Sequence, residues 1–183
     1  MRKTNIILLA AGNSKRFHDN KLLHKIQDKP MIQRVMEEIQ KVNCEKVIVV
    51  TQYEEINRLA RLYGYDVVIN ENPQQGISYS IKLGMQEVTG DQVIFLTGDL
   101  AYLKATTLNT LIAVSNETHI VCAAYQGQPK NPVLFPAIYF PELKNLTGDI
   151  GGKVLIKKYP NQVKKIEINM RELHDIDTVD DVL

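Results

Sequence analysis

The segment Asn5–Ala11 (Asn-Ile-Ile-Leu-Leu-Ala-Ala) is a near-continuous apolar run that stops at Gly12. A strand with apolar side chains at both alternating positions has no face to give to water. It belongs inside a sheet covered on both sides, which in practice means a parallel sheet flanked by helices. Past Gly12 the chain turns polar, with Ser14, Lys15 and Arg16 and, shortly after, Lys21. A buried strand therefore delivers a cationic loop to a sheet edge, where backbone N–H groups and positive side chains suit an anion.

The rest of the chain repeats the alternation. Pro30 is expected to open a helix that buries Ile32, Val35, Met36, Ile39 and Val42 at helical spacing. Lys46–Thr51 is a second strand, Tyr53–Tyr63 a helix stopped at Gly64, and Asp66–Asn70 a third strand. A polar loop, Glu71–Gly76, leads into a helix over Ile77–Val88, and Gln92–Thr97 is a fourth strand ending in Gly98-Asp99. Thr106–Val114 reads as helix and His119–Tyr125 as strand. Pro129, Pro132, Pro136 and Pro141 punctuate an irregular stretch with a short strand at Val133–Phe135. A helix near Gly151–Lys158, an edge strand over Gln162–Asn169 and a helix starting at Thr178 complete the pattern. Strands alternating with helices predict an α/β sandwich with a mostly parallel sheet, and the 183 residues suit one domain spanning 1–183. Ligands of such sheets sit beyond the carboxyl ends of the strands. That places Gly12–Lys21, Asn70–Ser80 and Gly98–Leu103 around one expected site.

The net charge of +1, from 22 basic and 21 acidic residues, gives no global field for nucleic acid or an anionic membrane. A polyanion must be held by a local cluster, which points to Lys15, Arg16 and Lys21. The expected anion is a nucleotide polyphosphate. Cys44 and Cys122 have neither metal-site nor redox-motif spacing and read as reduced thiols. No signal-peptide or membrane-spanning pattern is seen, so a cytoplasmic location is expected. Gly148–Val154 lacks the spacing and the hydroxyl of a P-loop, and the dinucleotide-binding glycine fingerprint is missing after the first strand. Asp99, at the carboxyl end of a strand, either caps a turn or ligates a divalent metal alongside phosphate oxygens. Asp175 and Asp177 either complete such a site or end the preceding segment. Asn72-Pro-Gln-Gln-Gly76, with Ser78 and Ser80, either forms a plain helix entry or presents amides and hydroxyls to a base.

Leu9-Ala-Ala-Gly-Asn-Ser-Lys-Arg-Phe17 with Lys21-Leu-Leu23 resembles the signature loop of nucleotidyltransferases with a MobA-like NTP-transferase domain. Within that group the chain is similar to the molybdenum cofactor cytidylyltransferases. Asn72-Pro73 with Gly76 and Ser80, Gly98-Asp99, Gly127–Phe135, Leu146–Gly152 and Asp175-Ile-Asp-Thr178 with Asp181 follow in the family's order. The resemblance implies a three-layer α/β/α sandwich with a Rossmann-like sheet of the nucleotide-diphospho-sugar transferase type. It implies that Ala10, Ala11 and Gly12 line the nucleotide, with Asn13, Ser14, Lys15, Arg16 and Lys21 around the triphosphate. Gln75, Gly76 and Ser80 would border the base. Asp99 would hold Mg²⁺ with Asp175 or Asp177. Gln128, Pro129, Asn131, Pro132 and Asp149 would face a molybdopterin-type cofactor. The chain departs from the family where Leu100-Ala101 replaces a common Gln-Pro, and where His18 and Lys130 replace frequent glycines.

The implied reaction is transfer of CMP from CTP to the cofactor's terminal phosphate, with loss of pyrophosphate. Arg16, Lys21 and Asp99 would be its catalytic residues, and a molybdoenzyme its eventual recipient. A phosphate nucleophile is mostly ionised at neutral pH, its second pKa being about 6, so no general base is needed. The alternatives are a guanylyltransferase, a sugar- or alditol-phosphate nucleotidyltransferase, and a non-catalytic carrier of the cofactor.

Overall fold

The computed structural model describes residues 2–12 and 20–174. In chain order its strands are β1 (Thr4–Ala10), β2 (Lys25–Ile26), β3 (Lys29–Pro30), β4 (Lys46–Thr51), β5 (Asp66–Ile69), β6 (Gln92–Thr97), β7 (Ile120–Tyr125), β8 (Gln128–Pro136) and β9 (Val163–Glu167). Its helices are α1 (Met31–Ile39), α2 (Glu54–Leu62), α3 (Ile77–Gln86), α4 (Ala105–Ala113), α5 (Phe140–Lys144) and α6 (Lys153–Lys158). Seven strands form one sheet in the order β5-β4-β1-β6-β8-β7-β9. Pairing is parallel through β5-β4-β1-β6 and again between β7 and β9, and β8 alone runs against its neighbours.

The opening apolar run explains the layering. Ile6, Leu8 and Ala10 point to one side, into a core with α1, α2 and α4 residues such as Met36, Ile56 and Leu108. Ile7, with Leu9 packed alongside, points to the other, against Ile81 and Met85 of α3, Leu143 of α5 and Leu155 of α6. Ile6, Ile7 and Leu8 are completely buried, each contributing about 1.5–3 kcal/mol relative to exposure. The expected three-layer α/β/α sandwich is the fold observed. All five residues predicted for this helix face are buried, although α1 ends at Ile39 and Val42 packs from the loop beyond it.

The differences are local. The irregular proline stretch is the nine-residue β8, joined to β7 by the tight turn Gln126-Gly127, both at positive φ. Its prolines avoid the double ladder. Pro129 is paired only on the β7 side, Pro132 sits in a register shift and Pro136 ends the strand. The pairing skips Asn131 and Pro132, a bulge that lifts this segment out of the ladder. Residues Lys25–Lys29, unassigned in the sequence, form the β2–β3 hairpin with Pro30, which ends β3 and immediately precedes α1; its turn is Gln27 and Asp28 at φ 49° and 70°. Two positive φ values make the type I′ geometry that matches strand twist. Pro141 opens the unpredicted α5, a position where its missing N–H costs nothing. β9 is the expected edge strand. The helix expected at Thr178 lies outside the described residues. Among the described residues no helix is long and apolar enough to cross a membrane.

Candidate active site

The strand order reverses direction around β1 and β6, so the loops leaving their carboxyl ends diverge to opposite sides and leave a crevice. A cavity of about 670 Å³ lies there, within the usual size range of small-ligand sites. Its walls come from the end of β1 (Leu9, Ala11, Gly12), the end of β6 (Thr97–Asp99), Lys21-Leu22, the segment Pro73–Ile77 with Ser80, and Gly148-Asp149. The three strand-end loops singled out in the sequence therefore meet.

Each wall is pinned. Carbonyls at the end of β1 are held from β4 and its exit, where Thr51 Oγ1 donates to Ala10 O (3.1 Å) and Gln52 Nε2 to Ala11 O (2.8 Å). The Tyr53 hydroxyl then donates to Gly12 O (2.9 Å). These three residues went unnoticed in the sequence, because hydrogen bonds between neighbouring strand ends leave no local pattern. Lys21 begins a single 3-10 turn, Lys21–Leu23, whose entry is capped by Asn20 Oδ1 accepting from Leu22 N–H (3.0 Å). Buried Leu22 anchors the turn against Gly98, where an added Cβ would stand 3.2 Å from Leu22 and 2.5 Å from Ile32 of α1. Only glycine lets the β6 exit lie this close to α1.

That packing brings Lys21 and Asp99 together across 78 positions of sequence. Lys21 Nζ donates to Asp99 Oδ2 at 2.9 Å, and the two side chains are 18% and 17% exposed. Asp99 Oδ1 is buried and accepts no hydrogen bond among the described residues. Leu100 and Ala101, the departure from Gln-Pro, are buried in the α1-side core and so act as packing.

The far wall was not foreseen as a unit. Gly76, at φ 85° and ψ 179°, lies against Gly148-Asp149, and a Cβ there would be 2.7 Å from Gly148 O. The Ser78 hydroxyl donates to Gly148 O (2.5 Å), and Asp149 Oδ1 accepts from Ile77 N–H at a long 3.3 Å. A carboxylate at the first turn of α3 also suits that helix's dipole. Ser80, expected at the base, is buried and accepts a hydrogen bond from Asn70 Nδ2 (2.9 Å), while still lining the cavity. Asn70, a buried amide just past β5 and the first residue of the expected Asn70–Ser80 segment, thus holds Ser80 in place. Gln75 is exposed at the rim.

A second cavity, about 330 Å³ and mostly apolar, adjoins the first and shares Leu9, Ile77, Thr97 and Asp149 with it. Phe95, Val133 and Phe135 supply its apolar side, and Asn131 and Lys153 its polar edge. Of the residues expected to face the acceptor, Asn131 and Asp149 line this cavity. Gln128 and Pro129 sit at the β7–β8 turn, Pro132 is buried in the bulge, and none of the three lines either cavity. Ala10 is buried directly behind the first cavity. Asn13, Ser14, Lys15, Arg16, Asp175 and Asp177 lie outside the described residues. Among the described residues no cluster of three His, Cys, Asp or Glu could by itself hold a metal.

Residues 6–163 match the family described as MobA-like NTP transferase domain. A probable molybdenum cofactor guanylyltransferase of Pyrococcus horikoshii is 27% identical over 180 residues, covering 90% of this chain and 89% of that protein. The bifunctional protein GlmU of Carboxydothermus hydrogenoformans is 32% identical over 114 residues, 61% of this chain but only 26% of that protein. The crystal structure of Rv0371c from Mycobacterium tuberculosis superposes with a TM-score of 0.85 at 24% identity, covering 98% of this chain and 94% of that one. Its manganese complex superposes at 0.82 and 22% identity, covering 99% and 96%.

Proposed function

Because the chain belongs to the MobA-like NTP transferase domain family and so carries a nucleotidyltransferase domain, we propose that it transfers the nucleotidyl group of CTP to the terminal phosphate of a molybdopterin-type cofactor. Pyrophosphate is the second product. The observation that carries this reading is the meeting of Lys21 and Asp99, 2.9 Å apart, in a cleft that opens sideways into an apolar chamber. The first cavity takes the nucleotide. The second takes part of the acceptor against the apolar wall of Phe95, Phe135 and Val133, with Asn131 and Asp149 at its polar edge. A sugar phosphate would have little use for those aromatic walls.

In-line transfer needs the acceptor phosphate and the α-phosphorus held together and their charge neutralised. Ala11 and Gly12, fixed through their carbonyls, give the nucleotide a rigid floor. Lys21 neutralises the phosphates, and Arg16 is the expected second cation. The buried, unpartnered Oδ1 of Asp99 fits a divalent cation, with Asp175 or Asp177 as the expected further carboxylate. When bound, Mg²⁺ or a similar ion supplies Lewis-acid neutralisation of phosphate charge. Asp149 orders the entry to α3 and borders both chambers, so it sits where nucleotide and acceptor meet.

The choice of CTP rests on the resemblance of Leu9–Phe17 to the cytidylyltransferases, in which Ala11 is the residue that lines the first cavity beside Gly12. Transfer of GMP is the second reading, favoured by the name of the Pyrococcus relative. Incubation with molybdopterin and each NTP, followed by product mass and pyrophosphate release, separates the two. A cytosine dinucleotide product supports the first reading and a guanine one the second. Binding of molybdopterin without pyrophosphate from any NTP would mark a carrier and end both.

A further inference from the structure

We infer that Lys21 is a competitor of the divalent cation for Asp99, so that metal enters the site with the nucleotide and not ahead of it. The inference rests on the assignment of Asp99 as the metal carboxylate. One of its two oxygens is taken by Lys21 Nζ at 2.9 Å, and only the other lacks a partner among the described residues. Both side chains are more than four-fifths buried, so solvent screens the pair weakly and the charge-assisted bond is strong. A bare divalent ion would meet a carboxylate already neutralised, with an ammonium against it. No cluster of further acidic or histidine ligands among the described residues offsets that repulsion.

A triphosphate changes the balance. It offers Lys21 a more highly charged partner in the same cavity, and it brings oxygens that share the metal. The turn is built for such an exchange. The backbone of Lys21–Leu23 is fixed by the Asn20 cap and by buried Leu22, while the lysine stem keeps its rotatable bonds. The ammonium can move from Asp99 to a phosphate without movement of the main chain. Nucleotide binding therefore exposes the metal carboxylate by removing its internal cation. The pair also keeps free metal from occupying Asp99 before the nucleotide has arrived.

The test is Mn²⁺ binding to the purified chain without nucleotide, read as loss of the free-ion electron paramagnetic resonance signal. Lys21→Met is expected to bind Mn²⁺ at least tenfold more tightly than the wild type, and adding Asp99→Asn is expected to cancel the gain. Lys21→Gln, which keeps a polar tip without the charge, should move in the same direction and carries the test if Lys21→Met does not fold by thermal melting. Equal or weaker Mn²⁺ binding by the folded lysine variant would overturn the inference. The underlying assignment is checked separately. Asp99→Asn should lose the Mn²⁺ that the wild type holds in the presence of CTP beyond what CTP holds alone. If it does not, Asp99 is not the metal carboxylate, whatever the lysine variants do.

Discussion

Gly76→Ala is expected to lower the melting temperature by roughly 3–18 °C, and by more than alanine at another glycine of similar φ. Gly76 has φ 85° and ψ 179°, a combination almost restricted to glycine and costing other residues about 1–3 kcal/mol. The added Cβ would also stand 2.7 Å from Gly148 O and 2.9 Å from Asp149 Cα. Both are backbone atoms, so no side chain can rotate away. Relief requires the Gly148-Asp149 loop to withdraw, which gives up the Ser78–Gly148 hydrogen bond at a further cost of about 0.5–1.5 kcal/mol. Together these effects come to about 1.5–4.5 kcal/mol, and a chain of this length loses about 2–4 °C per kcal/mol. Gly127→Ala is the control. Its φ is 74°, yet a Cβ there meets nothing within 4 Å, so only the backbone cost of about 1–2 kcal/mol applies. Differential scanning fluorimetry of the three proteins decides the matter. If Gly76→Ala melts no lower than Gly127→Ala, the two loops do not bear on each other as described.

Lys21→Ala and Asp99→Ala should each lower turnover by about 10³-fold or more while the fold persists, and near-normal product formation by either would refute its role. Burial tends to raise the Glu38 carboxyl, but hydrogen bonds from Lys41 and from the Ala105 N–H at the start of α4 outweigh it, leaving the pKa below 4.5. A carboxyl depressed on folding stabilises above its unfolded pKa and stops doing so as pH falls through its folded value. Glu38→Ala should therefore cost about 1 kcal/mol at pH 7, and the gap to wild type in urea melts should shrink below pH 4.5. Burial pushes the Cys122 thiol up to about 11. At pH 8 about 0.1% is thiolate, so in a Cys44→Ser variant, which removes the half-buried second thiol, disulfide reagents should label only on unfolding, and rapid labelling of that folded variant would contradict the burial of Cys122.

The parts of the fold that depend on one segment at a time were readable from its residues. The run Asn5–Ala11 dictates a central strand, and the spacing of Ile32, Val35, Met36 and Ile39 dictates α1. The carboxyl-end rule then collects Gly12, Lys21, Pro73–Gly76 and Asp99 around one cavity. What stayed hidden depends on pairs distant in sequence. The contact of Gly76 with Gly148 is made by two loops that share no periodicity. The splint from Thr51, Gln52 and Tyr53 exists only because β4 lies beside β1. The β8 strand was obscured by prolines, which argue against strands except where a ladder is one-sided or broken, as it is at Pro129 and Pro132. The β2–β3 turn uses Gln-Asp in place of the Asn-Gly or Asp-Gly that would have announced it.

β6 pairs with β8 only from Val133 onward, so Gln128–Pro132 extend past that ladder and are held by β7 alone, which β9 backs on its other side. The flank of the proposed acceptor chamber is consequently one strand, which reaches the second cavity through Asn131, while the proposed nucleotide flank is made of loops on separate strands. Side-chain chemistry on that strand and loop chemistry are independent variables. Substitution at Asn131 is thus a route to retool acceptor choice in an engineered enzyme while the first cavity is left untouched.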